Sequence, residues 1–334
     1  TLAIWTELHG MSKHPKSALL DDVRRVIRAK HMAWSTEKTY VGWIYRFILY
    51  HDKRHPLNLK EKHVQDYLTY LANERFVAVA TQNQALQSIL FLYREVLDSP
   101  LDELKFNRSR RPKRLPTVLN REEVIAILTK LDGEAKLMVS LLYGCGLRQN
   151  ECLSLRYQDL DLERMEVTIR GAKGNKDRNV TIPDKLKEPL QLRLNHVKQW
   201  LKDKLEKGDF IGVSVPPSID NKFPSYKNKI GWQFLFSSES TSADPIQGKV
   251  RWYYRHNTFL QRALRRALEQ SGVAKKVTSH TFRHSYATHI LESGCDIRTL
   301  AHILGHSNIK TTMIYLHVLE INRAKVKSPL DNLF

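Results

Sequence analysis

A proline-broken, strongly basic stretch between Ser99 and Pro116 prevents this chain from folding around a single continuous core. Pro100, Pro112 and Pro116 deny the stretch a helix, and Lys105, Arg108, Arg110, Arg111, Lys113 and Arg114 repel one another into an extended form. The 334 residues leave enough chain on either side for two separate cores. The expected organisation is a helical domain over 17–100, a basic linker over 101–117 and a second, mainly helical domain over 118–334. An irregular segment at about 208–255 is expected to be inserted in the second domain. Residues 1–16 are expected to be disordered or non-native, with Met11 as the natural start.

Apolar spacing supports four helices in the first domain. Tyr40, Trp43, Ile44, Phe47 and Ile48 recur at helical intervals, as do Val64, Tyr67, Leu68 and Leu71, and again Leu86, Ile89, Leu90 and Tyr93. Aromatics at such spacing belong to a core rather than to a ligand. In the second domain Asn120, with Glu123 three residues on, reads as a helix N-cap. The period then drops to two. Met165, Val167 and Ile169 alternate, Lys173-Gly174-Asn175-Lys176-Asp177 makes a turn, and Val180 and Ile182 resume, which predicts a β-hairpin with lysines at its tip. Helical patterns return over 185–207 and dominate 256–320.

Charge narrows the partners. Lys and Arg number 54 against 35 Asp and Glu, a formal excess of +19, which favours a polyanion such as nucleic acid. The three cysteines, Cys145, Cys152 and Cys295, have no metal-ligand spacing and are expected to be free thiols in a reducing compartment. No apolar run reaches the ~18 residues of a membrane span, and Thr1–Pro15 lacks a signal core. A cytoplasmic, nucleoid-associated protein is expected, with no membrane partner.

Three short motifs in the second domain carry polar residues suited to chemistry. Arg148 and Glu151 stand three apart in Gly146-Leu147-Arg148-Gln149-Asn150-Glu151. His280 and Arg283 are spaced alike in His280-Thr281-Phe282-Arg283. Leu304-Gly305-His306 is followed by Tyr315, nine residues after the histidine. Each alone has a plain structural explanation, a helix salt bridge or a core tyrosine. In this order and with the hairpin lysine between them, they resemble the tyrosine recombinases, or phage-integrase-like recombinases. The resemblance covers about 17–330. It implies a helical SAM-like N-terminal DNA-binding domain joined to a mainly α catalytic domain with a small β-hairpin, the two closing around DNA.

The resemblance also implies roles. Arg148 and Arg283 would clamp the nonbridging oxygens of a phosphodiester, whose charge grows in the transition state. Tyr315 would attack phosphorus to give a 3′-phosphotyrosine and a free 5′-hydroxyl. His280 is the expected proton acceptor for the phenol, Lys173 the expected general acid for the leaving oxygen, and Lys176 competes because it shares the turn. His306 would bind a phosphate oxygen, with Glu151 bracing the site from behind. Guanidinium and ammonium groups supply the positive charge, so no metal and no other cofactor is expected.

The inserted segment narrows the resemblance to integron integrases, which carry an extra segment before H-x-x-R with K-(Y/F)-P and W-Q-F patterns. Here these stand as Lys222-Phe223-Pro224 and Trp232-Gln233-Phe234. That family recombines a duplex primary site with cassette sites used as folded single strands, the extra segment gripping bases that protrude from the fold. Stacking on aromatic faces would hold such a base at ~1–3 kcal/mol. Phe223, Pro224, Trp252, Tyr253 and Tyr254 are the expected stacking faces, Arg251 and Arg255 the expected phosphate contacts, and Trp232 and Phe234 the residues that pack inward. Tyr253-Tyr254 stands where many members have a His-His pair, which leaves base preference in that pocket open. Four protomers are expected at synapsis, joined through the C-terminal segment with Val318, Leu319, Ile321 and Val326. Two alternatives remain: a phage-type or chromosome-dimer recombinase confined to duplex sites, and a catalytically silent DNA-binding accessory protein.

Overall fold

The structure is a computed structural model that describes residues 17–101, 115–172, 176–244 and 247–316, with the backbone alone for Ala172 and Lys176. The linker cluster from Lys105 to Arg114, the hairpin tip with Lys173, and the C-terminal segment from 317 lie outside the described residues. Contacts divide the chain into two compact units at the 113/114 boundary.

The first unit is helical. It comprises α1 (Ala18–Ala29), α2 (Trp34–Tyr50), α3 (Glu61–Asn73) and α4 (Val79–Phe91), the last running into a π turn over Leu92–Val96. Each helix buries one stripe: Leu20, Val23 and Ile27 on α1, Val64, Tyr67, Leu68 and Leu71 on α3. Trp43, Phe47, Tyr67 and Tyr93 are all buried, so the aromatic periodicity in this unit builds core. The Tyr93 hydroxyl lies within hydrogen-bond distance of the Pro56 and Leu59 carbonyls, at 2.8 and 3.0 Å, which keeps its polar end satisfied inside.

The second unit is built on α5 (Arg121–Leu128), α6 (Gly133–Gly144) and α7 (Gln149–Leu153), followed by β1 (Leu160–Asp161), β2 (Glu166–Ala172) and β3 (Lys176–Thr181). Asn120 caps α5 as its sequence position predicts: its side chain accepts from Glu123 N–H at 2.7 Å, and Glu123 answers at Asn120 N–H at 2.8 Å. Helix α6 buries Leu137, Met138, Val139, Leu141 and Leu142, nearly its whole surface, and so runs through the core. The three strands pair antiparallel in the order β1-β2-β3, with Val167 opposite Val180 and Ile169 opposite Arg178. Val167, Ile169 and Val180 face the core at the two-residue period, and Arg178 shares that inward face.

Next come α8 (Lys187–Glu206), the short α9 (Pro217–Lys222), a two-stranded ribbon of β4 (Ser242–Ala243) and β5 (Val250–Arg251), α10 (Asn257–Ser271), α11 (Ser279–Glu292) and α12 (Ile297–Leu304). Segment 208–255 has a small core of its own, Val213, Val215, Phe234 and Trp252, packed against Trp200 of α8. Arg156, just after α7, fastens this segment down. Its guanidinium donates to the Trp232 and Ser214 carbonyls and lies 4.1 Å from the Phe234 ring centre. Among the described residues no helix is long and apolar enough to cross a membrane.

Candidate active site

Two glycines shape the turns beside which the motif residues meet. Gly146 has φ +61, and a Cβ there would lie 2.4 Å from the Tyr286 ring. Gly305 ends α12 with φ +61, and a Cβ there would lie 2.9 Å from an Arg178 nitrogen. The carbonyls beside these turns are aimed at arginines. Arg283 on α11 donates to Gly146 O and Leu304 O, each at 2.6 Å, and Arg148 donates to Gly305 O at 3.1 Å.

Arg148 stands at the N-cap of α7 rather than inside a helix, but still reaches Glu151. Its Nη1 donates to Glu151 Oε1 at 2.7 Å and its backbone N–H to Oε2 at 2.8 Å. The Arg283 guanidinium comes to 3.9 Å from the same carboxylate. Burial works to raise the Glu151 pKa but is outweighed by Arg178 and Arg148, leaving it at about 2. Burial lowers Arg283 to about 10, far enough above neutrality to keep its charge. Arg148 is the more open of the pair, its side chain 28% exposed against 4% for Arg283.

His306 is held in one tautomer. Its Nε2 lies 3.2 Å from Arg283 Nη2, and a guanidinium can only donate, so Nε2 is the bare nitrogen and Nδ1–H donates to Thr312 Oγ1 at 2.8 Å. Burial and the charges of Arg283 and Arg148 lower its pKa to about 4. Tyr315, in the helical turn 313–316, is 2% exposed and packs against Ala287, Leu291, Leu300 and Leu304. Burial raises its phenol pKa, while Arg283 and Arg148 pull it back down.

The phenol's partner differs from expectation. His284 Nδ1, not His280, is hydrogen-bonded to Tyr315 OH, at 2.8 Å. His280 is one helical turn earlier on α11, its ring centre 6.0 Å from that of His284. On a helix, residues i and i+4 share a face, and the register of α11 turns the second of the two to the tyrosine. Burial, with His280 and Arg283, lowers His284 to about 4; burial, Arg283 and Arg148 also lower His280.

Arg148, Glu151, Arg283, His306 and Tyr315 thus meet in one place, while Lys173 lies outside the described residues. Sequence reasoning missed His284, Thr312 and Arg178. The Arg178 guanidinium forks onto Glu151 at 2.7 and 3.1 Å with a side chain only 4% exposed. His284 was detectable as the residue one turn after His280, whereas Arg178 had no spacing signal linking β3 to α7. Three guanidiniums face one carboxylate, a concentration of positive charge that favours a phosphate. Among the described residues no group of His, Cys, Asp and Glu is disposed to hold a metal ion.

The inserted segment corrects three expectations. Trp252 is 7% exposed, set edge-on against Trp200 at 5.0 Å, so it is part of the segment's core and not a free stacking face. Arg251 is buried and paired with Asp220 at 3.2 Å because Lys249 alone, at 2.6 Å, leaves part of that buried carboxylate open. Arg255 is spent on Glu134 at 2.8 Å and Glu239 at 2.7 Å. Tyr253 and Tyr254 are half-buried, 4.3 Å apart, and both lie against Phe234. Phe234 is buried as expected, and Trp232 half-buried. Phe223 and Pro224 do face out. Phe223 is 45% exposed and stacks on Tyr226 at 4.8 Å, with the Lys229 ammonium 4.1 Å from the Tyr226 ring centre.

Residues 117–321 match the phage integrase family, and residues 19–103 match the phage integrase N-terminal SAM-like domain. An integrase/recombinase of Escherichia coli is 43% identical over 317 residues, 94% of each chain. The tyrosine recombinase XerA of Thermococcus kodakarensis is 32% identical over 254 residues, 74% of this chain and 75% of that one. Two solved structures share the fold. The Tn1549 transposon integrase with transposon right-end DNA has a TM-score of 0.60 at 16% identity, over 92% of this chain and 99% of its own. The XerH recombinase bound to its difH substrate has 0.59 at 20% identity, over 98% and 89%.

Proposed function

The chain belongs to the phage integrase family of tyrosine recombinases, and we propose that it integrates and excises gene cassettes at integron sites, including sites used as folded single strands. Its partner is DNA. Tyr315 attacks the scissile phosphorus, forming the phenolic P–O bond and breaking the bond to the 5′ oxygen, so the product is a 3′-phosphotyrosine and a 5′-hydroxyl. The phosphodiester energy stays in the new ester, and religation needs no nucleotide.

Each role follows from what the side chain can do. Arg148 and Arg283 stabilise the charge that builds on the nonbridging oxygens, where guanidinium forks act best. Glu151 holds Arg148 in place, and the Gly146 and Leu304 carbonyls place Arg283. His306 donates to a nonbridging oxygen once phosphate displaces its contact with Arg283 and the anion draws a proton onto Nε2. His284 takes the phenolic proton: a pKa of about 4 makes it a weak base in the free protein, and an incoming phosphate anion raises it. Lys173 protonates the leaving 5′ oxygen, with Lys176 the alternative. The linker residues Lys105, Arg108, Arg110, Arg111, Lys113 and Arg114 contact the phosphate backbone. Four protomers join at synapsis through the segment after Tyr315, since two duplexes require two cleavages each.

The cassette assignment is carried by the Phe223–Pro224 edge, an exposed aromatic and proline face raised on a segment that has its own core. An unpaired base offers a π face to such an edge, and a closed duplex does not. A second reading, a recombinase confined to duplex sites, is favoured by the 32% identity to XerA. Recombination of each strand of a cassette site, delivered separately as single-stranded DNA beside a duplex control, distinguishes them. A preference of tenfold or more for one strand supports cassette recombination. Equal use of both strands, or activity on duplex alone, supports the second reading.

A further inference from the structure

Three consecutive carbonyls close α12, and each receives a different arginine. Arg178 Nε donates to Ile303 O at 2.8 Å, Arg283 Nη2 to Leu304 O at 2.6 Å and Arg148 Nη2 to Gly305 O at 3.1 Å. All three arginines also face Glu151, two in hydrogen-bonded ion pairs at 2.7 Å and Arg283 at 3.9 Å. Two members of this ring are the clamp assigned above, and the third has no assigned role.

We propose that Arg178 is the positioning residue of the clamp: it occupies Glu151 so that Arg283 stays free for phosphate, and it locks strand β3 to the end of α12. The proposal rests on Arg148 and Arg283 being the clamp.

The stoichiometry of acceptors carries the case. An ionised carboxylate offers about four lone-pair positions. Arg178 takes two, at 2.7 and 3.1 Å, and Arg148 takes two more with its side chain and its backbone N–H, at 2.7 and 2.8 Å. Arg283 is left outside hydrogen-bond range and turns its N–H groups to the carbonyls of Gly146 and Leu304 instead. Without Arg178, the half-empty carboxylate would draw Arg283 away from those carbonyls and hold it, and a guanidinium bound to a carboxylate is poorly placed to gain charge interaction in the transition state. Gly305 belongs to the same device, since any side chain there would strike Arg178. Because Arg178 is on β3, its anchorage also holds the hairpin against the Leu304-Gly305-His306 turn.

The Glu151 pKa gives a readout that a merely structural residue would not move. Burial raises it and the Arg178 and Arg148 hydrogen bonds bring it to about 2. Removing Arg178 leaves the buried carboxylate under-paired, so it protonates at higher pH and the acid limb of the cleavage profile moves up. Single-turnover formation of the covalent adduct on a nicked duplex, from pH 5 to 8 with duplex affinity measured alongside, reads this directly. Arg178→Met should slow adduct formation at least tenfold at neutral pH with affinity unchanged and the acid limb raised. Arg178→Lys, which keeps the charge without the fork and is the gentler change for folding, should recover part of the rate. In a Glu151→Gln background Arg178→Met should produce no shift of the limb. Wild-type rate and limb in either Arg178 variant would overturn the proposal, as would an equal limb shift without Glu151, or losses that track duplex affinity alone. If the wild-type protein itself forms no adduct, the clamp assignment falls first and takes the proposal with it.

Discussion

In the proposed reaction, protonation of a buried histidine governs when the phenol of Tyr315 can act. His284 is neutral in the free protein, its pKa lowered to about 4 by burial and by its charged neighbours, and its Nδ1 faces the hydroxyl. The sign for stability follows. A histidine lowered from 6.5 on folding stabilises the native state fully above pH 6.5, and that stability is lost as pH falls toward 4. Melting temperature should therefore fall across that window, and His284→Asn should flatten the slope. For the reaction, a proton acceptor is worth about a hundredfold or more at neutral pH and nothing once the phenol ionises unaided. Adduct formation in His284→Gln should thus be about a hundredfold slow at pH 7 and recover as pH rises, while a deficit in His280→Gln should not recover. Recovery in His280→Gln alone would return the role to the first histidine of the motif.

At the scale of elements, the inserted segment separates packing from contact. Trp252 and Phe234 form its core, Arg156 fastens it beneath, and Phe223 and Pro224 face out. Truncating a buried aromatic costs about 3–5 kcal/mol, whereas an exposed one costs little. Trp252→Ala should lower the melting temperature of the catalytic unit. Phe223→Ala should leave melting unchanged and reduce use of folded single strands, by about tenfold for one stacked base, with duplex activity intact. Equal loss on both substrates would show that Phe223 serves the fold and not the strand. These elements also mark what the sequence can reveal. The four helices of the first unit, the Asn120 cap and the β2–β3 pairing follow from local periodicity, which neighbours along the chain decide. Arg251 and Arg178 were misread or missed because their partners, Asp220 and Glu151, come from other elements, 31 and 27 residues away. No local pattern reports that kind of pairing. His284 was within reach of helical spacing, and the motif's first histidine drew attention away from it.

For the whole molecule, charge sets the terms of DNA binding. An excess of +19, with a basic cluster between the two units, predicts duplex affinity that falls steeply with salt as phosphate counterions are released. Binding of that kind positions a duplex without choosing the bond to be broken. In the proposed mechanism the choice belongs to Arg148, Arg283, His306 and Tyr315, side chains presented by the N-cap of α7, by α11, by the turn after α12 and by the 313–316 turn. The most direct test is to trap the protein on a nicked recombination site, digest the adduct and locate the attached nucleotide by mass spectrometry. A 3′-phosphate joined to the peptide containing Tyr315, absent from Tyr315→Phe, is the predicted result. Attachment at any other residue, or an adduct that persists in Tyr315→Phe, would contradict the account.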